Sequence, residues 1–107
     1  MKPPARSYHD DLIEDLRNPR MATAYLNAAL EAGDKRAFLL ALRNVLEAQG
    51  GMTKASRRAK INRVSLYKML SKGGNPEFES ILSLLKAAGI KFQIAISKGA
   101  SAYKKAA

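Results

Sequence analysis

Seven cations, Lys54, Arg57, Arg58, Lys60, Arg63, Lys68 and Lys72, fall within residues 48–76, and no Asp or Glu stands among them. The lysine ammonium is a compact point charge and the arginine guanidinium a planar fork, so a run of both suits phosphate oxygens and the acceptor edges of bases. Solvated helix faces commonly interleave acids with bases at i,i+4 spacing, and this stretch does not. The excess is local. Residues 1–47 balance to zero, and residues 77–107 add only +3 to the formal total of +10. A pI near 10.2 makes a polyanion the expected partner, with nucleic acid and an anionic membrane surface as the first candidates.

Other chemistries are poorly served. His9 is the only histidine and cysteine is absent, which removes thiolate zinc sites, disulfides and thiol catalysis together. Asp10, Asp11, Glu14 and Asp15 lack the alternating oxygen ligands and the glycine of a calcium loop. They read as acids favoured at a helix start, or as a patch on which a basic protein could dock. Gly73 and Gly74 are not followed by the Gly-Lys-Ser/Thr of a phosphate loop. The expectation is therefore a protein that is not an enzyme, with no metal and no cofactor. The absence of cysteine, of a secretory signal pattern and of any long apolar run points to a soluble cytoplasmic protein that does not enter a membrane.

The elements that must position the cations follow from periodicity. At 107 residues, with 47% apolar and 26% charged side chains, the chain matches a single globular domain. Leu12, Ile13 and Leu16 share one face of a short helix from Tyr8. Asn18 and Pro19 read as the cap and first residue of a second helix, carrying Ala22, Tyr25, Leu26, Ala29 and Leu30 and closed by Gly33. Asp34 caps a third, with Phe38, Leu42, Val45 and Leu46 as its buried stripe and Gly50-Gly51 at its end. The basic segment divides into pieces over about 53–59 and 63–71, capped by Thr53 and Asn62. A Gly-Gly-Asn-Pro turn over 73–76 precedes a helix over about 77–88 with Phe78, Ile81, Leu82 and Leu85 on one face.

Two short helices around a tight turn, the second opening on polar and basic residues, have the layout of a helix-turn-helix motif over about 52–71. Ile61, Leu66 and Met69 are assigned to the core. That leaves Asn62, Arg63, Val64, Ser65 and Tyr67 as the base-reading set. Arg63 is the candidate for a bidentate contact to guanine, Asn62 or Ser65 for secondary contacts, and Val64 for a thymine methyl. Tyr67 either anchors a phosphate through its hydroxyl or covers the edge of the core. Thr53, Lys54, Lys60, Lys68 and Lys72 suit phosphate contacts, which position a protein without reading sequence. Arg57 and Arg58 are adjacent, so one of them is left to solvent.

At family level, residues 51–70 resemble the phage-repressor-like helix-turn-helix. The run Leu66-Tyr67-Lys68-Met69-Leu70-Ser71, the turn Gly74-Asn75-Pro76 with Phe78 behind it, and Ala24-Tyr25-Leu26-Asn27-Ala28-Ala29-Leu30 followed by Gly33-Asp34 resemble the HigA-related addiction-module antidotes. The resemblance covers residues 8–96. It implies a mainly α fold of five to six helices and a bacterial, nucleoid-associated repressor that neutralises a RelE/ParE-like toxin, regulates its own operon and binds an operator as a dimer. The alternatives are a stand-alone phage-type or chromosomal repressor without a toxin and a basic structural protein that coats nucleic acid without preference, the latter disfavoured by Asn62 and Arg63 at the start of a lone recognition-type helix. Ser56 stands where the family usually has Ala, and Lys60 where it has a turn Gly.

After the last helix the period changes from 3.6 to two. Ile90, Phe92, Ile94 and Ile96 alternate with Lys91, Gln93, Ala95 and Ser97, which predicts a short C-terminal strand over 90–97. No second run with this period exists in the sequence, so the strand is expected to pair with its counterpart in a second copy across a two-fold axis, or with a toxin strand. A homodimer would then read an inverted repeat. Residues 1–7 are expected to be a flexible leader, 8–97 the single domain, and 98–107 a flexible basic tail.

Overall fold

A computed structural model describes residues 7–96, which form six helices and no strand. These are α1 (Tyr8–Asp15), α2 (Pro19–Glu31), α3 (Lys35–Ala48), α4 (Met52–Ala59), α5 (Arg63–Met69) and α6 (Phe78–Ala87). Four of the six helices start at polar residues whose side chains satisfy orphan amides. Ser7 and Asp10 form a reciprocal capping box, with Asp10 N donating to Ser7 Oγ at 3.1 Å and Ser7 N to Asp10 Oδ2 at 3.3 Å. Ser7 thus belongs to α1, and the rest of the expected leader and all of the expected tail lie outside the described residues. Asn18 Oδ1 accepts from Arg20 N and Asp34 Oδ1 from Arg36 N, both at 2.9 Å.

Helix α3 is the hub. It packs against α1, α2 and α4, while α4 packs in turn against α5 and α6. Its stripe of Leu39, Ala41, Leu42, Val45 and Leu46 joins Leu16, Leu26, Leu66, Leu70, Leu84 and Leu85 in one buried cluster. Burial of each such leucine stabilises by about 1.5–3 kcal/mol, so the orientation of α4 and α5 is set by the same core as the scaffold helices. Gln49 tightens the corner by donating through Nε2 to Leu16 O at 2.8 Å and Arg17 O at 3.2 Å. Gly89, at φ +73°, turns the chain at the end of α6 so that Ile90 N reaches Leu85 O at 2.8 Å and the Ile90 side chain folds back onto the core.

Three sequence expectations are corrected. Residues 90–96 form no strand, because no segment pairs with them among the described residues and a ladder needs a partner. Ile90 is half-buried and Phe92, 41% exposed, meets Phe78 edge-on at 6.1 Å, whereas Ile94 and Ile96 are 88% and 87% exposed. The cap of α4 is Gly51, at φ +92°, and not Thr53. Starting two residues earlier brings buried Met52 into the helix, which Thr53 as cap would have left outside it. Leu30, Phe78 and Leu82 are exposed although their spacing fits the core. Leu84 takes the fully buried place on α6, and Leu30 lines an apolar groove of about 680 Å³ with Leu26, Phe38 and Phe92.

The turn before α6 depends on Gly74. A Cβ there would stand 2.0 Å from Met69 O and 2.9 Å from Lys68 O, both backbone atoms at the end of α5, whereas one at Gly73 would meet nothing within 4 Å. Gly74→Ala is therefore expected to destabilise by about 1–3 kcal/mol in urea unfolding, and Gly73→Ala by less than about 0.5 kcal/mol. Equal midpoints for the two variants would contradict this packing.

Candidate nucleic-acid interface

Helix α4 ends in a Schellman turn. Ile61 N donates to Ser56 O at 3.1 Å and Lys60 N to Arg57 O at 3.3 Å, and the residue between must enter the left-handed region. That residue is Lys60, at φ +58° and ψ +40°, the one positive-φ residue other than glycine among those described. Its Cβ costs on the order of 1–2 kcal/mol there. Half-buried Ser56 adds a third tie by donating its hydroxyl to Ile61 O. Asn62 then starts α5 at once, its Oδ1 accepting from Val64 N at 2.8 Å and Ser65 N at 3.3 Å. The two helices are thus linked by three residues with almost no conformational slack.

All seven cations of residues 48–76 are solvent-exposed, and among the described residues none of them makes an ion pair. Lys54, Arg57 and Arg58 lie on α4 and Lys60 in the turn, while Arg63 and Lys68 lie on α5 and Lys72 just beyond it. Thr53 is exposed in the first turn of α4, where Gly51 provides no side-chain cap for the leading amides. On α5, Asn62, Arg63, Val64 and Ser65 are all exposed, Val64 at 76%, while Leu66 is fully buried beneath them. Asn62 has its carbonyl oxygen committed to the cap, which leaves its amide nitrogen to donate outward. Tyr67 is half-buried and packed on the core, and the Arg63 guanidinium lies 5.8 Å from its ring centroid.

One neighbour of this surface escapes any reading of local spacing. Arg43, on α3, lies over the same Tyr67 ring at 5.3 Å, although 24 positions separate the two in sequence. Its neighbour Asn44 points the other way, buried, with Nδ2 donating to Tyr25 Oη at 3.0 Å. The lone histidine is remote from the cations in sequence and in contacts, with His9 Nε2 3.4 Å from Glu47 Oε2. No group of three or more His, Cys, Asp or Glu capable of holding a metal ion occurs among the described residues. No helix there is long and apolar enough to cross a membrane.

Fold and surface together define a small, mainly helical protein with a carboxylate-free cationic face on two short consecutive helices. The family model described as "Probable addiction module antidote protein" matches residues 7–96, and the chain belongs to that family. An uncharacterised protein of Haemophilus influenzae is 34% identical over 88 residues, covering 82% of this chain and 90% of that protein. No solved structure matches the chain. Membership in a family of antidotes implies an antitoxin's role and, in general, a toxin as partner.

The strain at Lys60 can be measured. Lys60→Gly removes the left-handed penalty but loosens the unfolded chain by about 0.4–1 kcal/mol, so a net gain of about 0.5 kcal/mol is expected. Ser56→Ala, which deletes the tie to Ile61 O, is expected to lose about 0.5–1 kcal/mol. Urea midpoints moving in the same direction for both variants would contradict the opposed roles of these two residues.

Proposed function

We propose that the chain is a sequence-specific, double-stranded-DNA-binding repressor serving as the antitoxin of a type II module. In this reading α4 and α5 act as a phage-repressor-like helix-turn-helix, with α4 bracing the backbone and α5 entering the major groove. The observation that carries it is the array of seven exposed cations, without ion pairs among the described residues, on two helices, the three-residue turn that locks them and the residues just beyond α5. Arg63 reads a guanine, Asn62 and Ser65 add secondary contacts, and Val64 packs on a thymine methyl. Thr53, Lys54, Lys60, Lys68 and Lys72 hold phosphates. No residue is assigned a catalytic role. The HigA-like resemblance supports a RelE/ParE-like toxin, autoregulation of the operon and association with the bacterial nucleoid.

Operator binding in this reading is dimeric. Ile94 and Ile96 are exposed, Phe92 partly so, and the apolar groove beside α2 adjoins them. A second copy laid across Ile90, Phe92, Ile94 and Ile96 covers this surface and brings two α5 helices to successive major grooves, about 34 Å apart on an inverted repeat.

Two measurements test the reading. DNA affinity should fall with salt at a log–log slope of about −0.9 per phosphate neutralised, and an affinity indifferent to salt refutes it. Arg63→Ala should cost about 1–3 kcal/mol on the operator and much less on random duplex, whereas Lys72→Ala weakens both alike. For the dimer, light scattering should give twice the chain mass at micromolar concentration and one chain mass for Phe92→Asp and Ile94→Asp. A wild-type monomer that still binds a palindromic operator without cooperativity defeats the dimer.

A further inference from the structure

Tyr67 does more than cover the edge of the core. Its ring is packed against the buried cluster, and two guanidinium groups lie over it, Arg43 from α3 at 5.3 Å and Arg63 from the start of α5 at 5.8 Å. Two like charges drawn to one ring repel each other, and neither has a carboxylate within ion-pair distance among the described residues. Cation–π attraction and stacking hold each planar group against the phenol, but only an anion neutralises the pair. The half-buried ring rests on the core, and α5, which carries it, is held by the burial of Leu66 and by its turn. The guanidinium groups are therefore oriented before any ligand arrives, which lowers the ordering cost of binding. Arg43 is half-buried and sits on α3, outside the two-helix segment, with its guanidinium beside Tyr67 of α5.

We propose that Arg43, Tyr67 and Arg63 form one recognition unit for duplex DNA, in which Tyr67 is a positioning residue for both guanidinium groups. Arg63 is directed at a base edge, and Arg43 contacts the phosphodiester beside it. The proposal rests on the DNA-binding reading above and extends it to a residue of α3 that lies outside the basic segment.

The test uses the full chain with two duplexes of equal length, one from upstream of its own reading frame and one of random sequence, over a range of salt concentrations. Arg43→Gln should weaken binding to both duplexes about tenfold and reduce the steepness of the log–log salt slope by about one. Tyr67→Leu keeps apolar bulk but loses the π face, and should reduce the preference for the specific duplex about tenfold. Tyr67→Phe keeps the face and should retain the wild-type preference. Circular-dichroism melting establishes that each variant is folded, and if Tyr67→Leu is not, the Arg43→Gln slope decides. Wild-type affinity and slope for Arg43→Gln overturn the proposal while leaving the DNA-binding reading intact, and so does a Tyr67→Phe protein as impaired as Tyr67→Leu. A wild-type protein that binds neither duplex removes the underlying reading and the unit with it.

Discussion

The three residues between α4 and α5 constrain everything that the basic surface can do. The 6→1 hydrogen bond from Ile61 N to Ser56 O closes only if Lys60 enters the left-handed region, and the Ser56 hydroxyl on Ile61 O holds it there. A turn without a glycine at that position persists only where its surroundings over-determine it. Here they do, since Met52 and Ala55 bury one helix, Leu66 buries the other, and Asn62 begins α5 with no intervening loop. The strained lysine keeps its ammonium on the exposed outside of the corner, in the middle of the cationic array.

Helix α3 couples this corner to the rest of the molecule through two successive residues. Asn44 is turned inward and satisfied by Tyr25 of α2, while Arg43, roughly 100° around the helix, extends to Tyr67 of α5. One turn of one helix thus registers the scaffold on one side and the candidate interface on the other. A rotation of α3 would break the buried hydrogen bond and move the guanidinium together, because a buried amide without its partner costs about 1–3 kcal/mol.

Much of this was legible in the sequence because it is written in local chemistry. Asn18-Pro19, Asp34 and Asn62 mark helix starts through side chains that satisfy amides two or three residues on, and the acid-free run between residues 48 and 76 marks the surface. The cap of α4 was misread, since Thr53 has the right chemistry but Gly51 alone has the backbone freedom to bring Met52 into the core. The alternation of Ile90, Phe92, Ile94 and Ile96 predicts a strand that does not form, since periodicity records which faces are apolar and not whether a partner supplies hydrogen bonds. Arg43 and Asn44 could not be assigned at all. Their partners lie 24 and 19 positions away, and only the packing of α3 against its neighbours brings them together.

The exposed isoleucines of residues 94 and 96 also bear on the colloidal behaviour of the protein. Exposed apolar side chains are adhesive toward similar surfaces, while a formal charge of +10 on so small a chain keeps free copies apart. Dissolved salt shortens the range of that repulsion to about 8 Å at physiological ionic strength and leaves the apolar attraction nearly untouched. The same ions that loosen a grip on a polyanion therefore let the copies approach one another, so that crowding by counterions turns a dispersed population toward self-adhesion as it releases it.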